Sequence, residues 1–257
     1  SYSFNLTGNP LTGKPAPLMD YGNDTRFILS APYFDPSLMR EKLAYDLYSL
    51  IDEQDSLAPR YVELFVEGGY QGIYILYQRH SPSLFSVDEK QGALFEASGW
   101  QANFAHGIQG FSQVGSQDDR FFMLEGLIQQ VYQQQFPSGL GLESAVDNYL
   151  LYLYSGCSHP LAAHQFIYGQ TADEKLKLAP GDYYQSSWGR DSRSIKLPPE
   201  VLKLGRLFSL LEEEPQFKQM LQNKWEDLKD SLLSTQQMQS LIQANAGQLK
   251  PALERNR

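Results

Sequence analysis

The chain is 257 residues long with a net charge of −9, long enough to bury a substantial core in one large domain or two small lobes. Its 42% hydrophobic and 20% charged residues exclude a wholly disordered class, and the acidic balance without clustered Lys and Arg excludes a nucleic-acid-binding surface, because neutralising phosphates requires such clusters. A single cysteine, Cys157, excludes an internal disulfide and leaves the compartment open, while no apolar run approaches the roughly 20 residues of a membrane-spanning helix.

Residues 1–6 alternate as a strand does, and the abrupt opening SYSFNL leads to the expectation that the sequence is part of a longer chain. A Gly-, Pro- and Asn-rich surface connection follows over 7–24. A short apolar strand, RFILS, precedes Asp35-Pro36. Asp35 is expected to cap a helix with Pro36 at its first position, where the missing N–H costs nothing. Met39, Leu43, Leu47 and Ile51, with Ala44 and Tyr48 alongside, give that helix one apolar face.

Two strands follow, in which Val62, Leu64 and Val66 alternate with Tyr61, Glu63 and Phe65, and Gly68-Gly69 is expected to supply the positive φ of the turn. The pattern predicts a helix packed on a hairpin. Residues 79–83 then link this N-terminal part to the rest of the chain, LFSV and GALFEAS read as short strands around a turn at 88–91, and 99–115 carries no periodicity. Phe121, Leu124, Leu127, Ile128, Val131 and Tyr132 predict a helix behind Asp118 and Asp119, and Leu142, Ala145, Val146, Tyr149, Leu150 and Leu153 a second after a break at 137–141. Leu197-Pro198-Pro199 stops one segment. Helical spacing resumes at Leu202, Leu207, Phe208 and Leu211, continues at Phe217, Leu221, Trp225, Leu228 and Leu232, and restarts behind Ser234.

The order of these parts carries a resemblance. FILSAPYFDPSLMREKLAYDLYS followed by RYVELFVEGGYQGIYILYQR resembles the CotH kinase-like family, spore coat protein H and its relatives, whose members read "RNKLAYDL", then a strand ending in Asn-Gly, then "GxYxLxE". Here Glu67-Gly68 stands at the Asn-Gly turn and Gln78 at the glutamate. The C-terminal helices and LERNR fit as well, so the resemblance spans nearly the whole chain. It implies an α+β, two-lobed, atypical protein-kinase-like fold: a mixed sheet plus one helix over 1–84 and a mainly helical lobe over 85–257. Relatives carry an "RG-x-S-S…K" segment before the first strand. The resemblance also favours a secreted, periplasmic or cell-surface location.

Phosphoryl transfer needs carboxylates to hold Mg²⁺, a cation on the phosphates and a group to orient the acceptor. The family wording "D-G-x-x-x-N-Y-x-L-Y" corresponds here to SHPLAAHQFIY, which implies His159 at the catalytic Asp and His164 at the Asn. The wording "W-D-x-D" corresponds to PGDYYQSSWGRD, where Asp182 keeps the first metal-binding Asp and Tyr184 replaces the second. Exchanging Asp for Tyr and Asn for His removes two oxygen ligands from a hard cation. His159 retains the capacity to accept a proton near neutral pH. Gln78 can hydrogen-bond a lysine but cannot neutralise it.

The implied cofactors are therefore ATP with Mg²⁺ or Mn²⁺, weakly held or absent. Gln78 and Asp182 are the candidate cofactor contacts, Asp182 and His164 the candidate metal ligands and His159 the candidate catalytic residue. Two readings stay open: a degenerate relative that acts by binding a protein partner or by assembly, and an active atypical kinase that phosphorylates Ser or Thr of secreted or surface proteins. His159, His164 and Asp182 as a transition-metal site is disfavoured, since a five-residue gap does not place two side chains on one helical face. The sequence has no Gly-x-Ser-x-Gly, and Cys157 reads as a buried small thiol.

Overall fold

The computed structural model describes residues 2–6, 18–21, 25–33, 35–52, 57–98, 104, 107–116, 118–157, 165–179, 181, 188 and 206–255. The first sheet runs in the order β1-β2-β4-β3, with β1 at Tyr2–Asn5, β2 at Arg26–Ser30, β3 at Arg60–Val66 and β4 at Gly69–Gln78. All its pairings are antiparallel, so the expected mixed sheet is corrected. A helix joins β2 to β3, a connection that suits parallel neighbours; β4 instead lies between those two strands and runs against both.

That connecting helix, α1 (Arg40–Ile51), starts four residues after Pro36 and not at it. Leu38 adopts φ 59°, which a right-handed helix cannot continue through. Asp35 nevertheless caps it. Its Oδ2 accepts the Arg40 N–H at 2.8 Å, and its Oδ1 accepts from the Ser37 N–H and the Arg40 guanidinium. The predicted apolar face is buried at Leu43, Ala44, Leu47 and Tyr48, worth about 1.5–3 kcal/mol for each large side chain.

The hairpin turn has positive φ at Glu67 (51°) and Gly68 (80°), whereas Gly69 already belongs to β4. The central pair is thus one residue earlier than expected, in the register of the family's Asn-Gly. Ile75 and Tyr77 face α1 and the main core, and Leu76 packs on the other face with Tyr21 and Phe27.

A second antiparallel sheet, which the sequence pattern does not predict, runs β6-β5-β7-β8, with β5 at Ala93–Ala97, β6 at Phe111–Val114, β7 at Gln165–Gly169 and β8 at Lys177–Ala179. β5 lies within the expected strand GALFEAS, and β6 emerges from the stretch that lacks periodicity. LFSV is not a strand: Leu84 and Val87 donate backbone bonds to Ser81 and Pro82 in consecutive turns, and Ser86 has φ 54°. Gly92 must be glycine, since a Cβ there would stand 2.3 Å from the Gly169 carbonyl oxygen.

The helices α2 (Phe122–Tyr132) and α3 (Leu142–Ser155) match the predicted apolar repeats, as do α4 (Arg206–Leu211), α5 (Pro215–Leu228) and α6 (Thr235–Arg255). Ser234 caps α6 by accepting the Gln237 N–H. The Leu197-Pro198-Pro199 break lies outside the described residues. The fold is α+β, with the later part of the chain mainly helical around its small sheet. One apolar cluster runs from Ala44, Leu47, Tyr48 and Ile75 through α2 and α3 to Phe208 and Phe217.

Candidate functional site

The geometry converges on α1. Glu41 and Tyr45 are one turn apart and share a face. Glu41 is 3% exposed; it accepts a hydrogen bond from the Ser30 hydroxyl at 2.7 Å and one from the Tyr77 hydroxyl at 3.3 Å. A buried carboxylate is tolerable only with such donors. The Tyr45 ring lies 5.5 Å from that of Tyr77, and its hydroxyl donates to the Gly181 carbonyl at 2.7 Å.

A second link fixes the chain as it leaves β8. Asn148 of α3 is fully buried, and its amide donates to the Ser144 and Leu178 carbonyls and to the Tyr48 hydroxyl, while its oxygen accepts from Tyr152. Asn148 therefore welds α1, α3 and β8 together. Two contacts hold the chain shortly before Asp182: the Asn148 amide on the Leu178 carbonyl and the Tyr45 hydroxyl on the Gly181 carbonyl.

His159, His164, Asp182 and Tyr184 themselves lie outside the described residues. Their flanks are informative. Residue 157 follows the α3 C-terminus, where Gly156 closes the helix at φ 65°, and β7 begins at Gln165. Gly181 is held by Tyr45, and the Trp188 N–H donates to the Ser155 carbonyl at the same end of α3. Residues 157 and 188, which flank these stretches, thus both stand at the C-terminal end of α3. Gln78 closes β4 opposite Phe27. Strand alternation puts it on the face away from Tyr77 and Glu41.

The charges on α1 are already committed. Lys42, 4% exposed, lies 2.9 and 2.8 Å from the two oxygens of Asp46 and 5.5 Å over the Tyr61 ring. Asn245 of α6 donates to the same carboxylate at 3.0 Å. Arg40 is bound to Asp35. Burial works against ionisation of Asp35, but the backbone N–H of Arg40 and the donors of Ser37 prevail and hold its carboxyl below the usual carboxylate range. Burial pushes the Tyr61 hydroxyl up, and the negative charge of Asp46 adds to the effect. Among the described residues no group of three or more His, Cys, Asp or Glu is placed to hold a metal ion, and no helix is long and apolar enough to cross a membrane.

Sequence reasoning missed Glu41 and Asn148. Glu41 left a signal, since it stands where "RNKLAYDL" has Asn. Asn148 left a weaker one, a polar residue between Ala145 and Tyr149 on an apolar stripe.

A family profile described as CotH kinase protein matches residues 1–257. The chain is also similar to inner spore coat protein H of Bacillus subtilis (strain 168), at 27% identity over 258 aligned positions, covering 87% of this chain and 67% of that protein.

Proposed function

The chain belongs to the CotH kinase protein family, and from that premise we propose that it is a catalytically degenerate member that works by binding a protein partner or assembling into a larger structure. The similarity to a spore coat protein supports association with a spore coat or another cell surface. The observation that carries the reading is the state of α1. A triphosphate requires free positive charge, yet Lys42 is buried against Asp46 and Arg40 is held by Asp35. The face toward Gly181 offers a carboxylate and tyrosine hydroxyls. The two sheets, over residues 2–78 and 93–179, support a division into lobes near residue 84.

A second reading draws on one feature. Tyr45 anchors the residue before Asp182, the retained metal-ligand position, as a site for Mg²⁺ or Mn²⁺ would require. On that reading the chain is an active atypical kinase transferring the ATP γ-phosphate to Ser or Thr of secreted or surface proteins. ATP would be held by Asp182, with Gln78 set on the opposite face of β4 and out of the site, and His159 would take the acceptor proton.

A thermal-shift titration with ATP and Mg²⁺ or Mn²⁺ separates the two. A nucleotide at a hundred times its Kd stabilises by about 2.7 kcal/mol, which raises Tm by roughly 5–10 °C for a chain of this size. The degenerate reading expects no shift. A shift of that size, abolished by Asp182→Ala, refutes loss of the nucleotide site. Transfer of the radiolabelled γ-phosphate to a protein, stopped by His159→Ala, establishes the kinase.

A further inference from the structure

The polar residues of α1 bond to different parts of the molecule. Glu41 holds β2 and β4 through the Ser30 and Tyr77 hydroxyls, the Tyr48 hydroxyl meets Asn148 of α3, and the Tyr45 hydroxyl donates to the Gly181 carbonyl. Asp46, the next residue, takes Lys42 of its own helix and Asn245 of α6. Neighbours on a helix point about 100° apart, so Tyr45 and Asp46 tie α1 to partners on two different sides. Tyr45, Tyr48 and Asn245 are each no more than 2% exposed, so bulk water does not replace a lost bond.

Apolar packing holds a helix against its neighbours without fixing how far it slides or turns, because it follows area and has no direction. Hydrogen bonds from buried polar groups do have direction, and a group left unpaired there is expensive. α1 therefore has one seat, in which the bonds to α6 and to Gly181 are made together. Asn148 fixes the Leu178 carbonyl and Ser144 accepts the Leu178 N–H. The chain leaving β8 is thus held by α3 at Leu178 and by α1 at Gly181.

We propose that Tyr45 is a positioning residue: its hydroxyl makes the path of the chain into residue 182 depend on the seat of α1, and Asn245 of α6 holds that seat from the other side. A shift of the C-terminal helix against α1 is thereby transmitted to Gly181, although Asn245 makes no hydrogen bond there. The bearing of this coupling on function rests on Asp182 as a site residue, which the nucleotide titration tests separately; the coupling itself needs no nucleotide.

The test is hydrogen–deuterium exchange on the whole chain without nucleotide, comparing wild type, Tyr45→Phe, Asn245→Ala and the double variant. Tyr45→Phe keeps the ring beside Tyr77 and removes the hydroxyl. Each single variant speeds exchange of a peptide covering 177–181 at least threefold beyond any change at β5 and β6, which report opening of the molecule as a whole. The double variant exchanges there no faster than Tyr45→Phe alone, because the connection is already cut. Exchange at 177–181 that follows β5 and β6 in Asn245→Ala overturns the proposal. So does a flat response to Tyr45→Phe, or single-variant effects that multiply in the double variant, since the two residues would then act independently.

Discussion

Asp35 shows how much one side chain can organise. It satisfies the Arg40 N–H from five residues upstream, bonds both donors of Ser37 and pairs with the Arg40 side chain, so the first turn of α1 depends on it. Asp35→Ala is expected to cost about 1–2 kcal/mol at neutral pH, in the range of a lost helix cap, as measured by urea denaturation. The sign with pH follows from the depressed carboxyl: the contribution is complete above the unfolded-state value near pH 4 and is lost as pH falls through the lower folded-state value. The stability gap between wild type and Asp35→Ala should therefore close on acidification below about pH 4.

The hairpin is the element whose local chemistry is least settled. Two positive φ values in succession suit the Asn-Gly or Gly-Gly of a two-residue turn, and Glu67 pays a Cβ penalty that Gly68 escapes. Glu67→Gly or Glu67→Asn should stabilise the protein by about 0.5–1 kcal/mol, readable as an increased denaturant midpoint with unchanged slope. A destabilised Glu67→Gly would mean that the Glu67 side chain itself makes a stabilising contact. The bulge between Leu64 and Phe65, opposite Gly72 at φ 115°, strengthens the twist of the same ribbon. Beyond it Phe65 and Val66 stand more than half exposed at the tip.

At the scale of the whole molecule, the C-terminal helix is stitched to the N-terminal one. Asn245 reaches Asp46 across 199 residues of sequence, and Arg255 reaches Glu63 beside it. Asn245 is 1% exposed, and Asp46 uses its amide to complete the shell around the Lys42 pair. Since one apolar cluster runs from α1 into α5, the two ends of the chain should unfold together. Asn245→Ala is expected to lower the stability of a single cooperative transition by about 1–2 kcal/mol, the cost of removing a hydrogen bond to a half-buried carboxylate. A split into two transitions by calorimetry would show instead that the parts unfold separately.

Periodicity and turn chemistry were enough to locate α1, α2, α3, α5 and α6, the first two strands and the hairpin, because their apolar residues recur at helical or strand spacing between turn residues. The second sheet was not legible: β7 is buried at every residue and β8 is three residues long, so neither leaves an alternation to read. The identity of the chain was legible from ordered motifs, since wording such as LAYDL survives substitution of its neighbours. The burial of Glu41, the weld made by Asn148 and the bond from Asn245 that completes the Lys42–Asp46 pair depend on partners 11 to 199 residues away. Sequence by itself determined most of the helices, the hairpin and the family; only the tertiary structure decided the second sheet and which polar groups leave water, because burial is a property of the assembled neighbours and not of the residue that is buried.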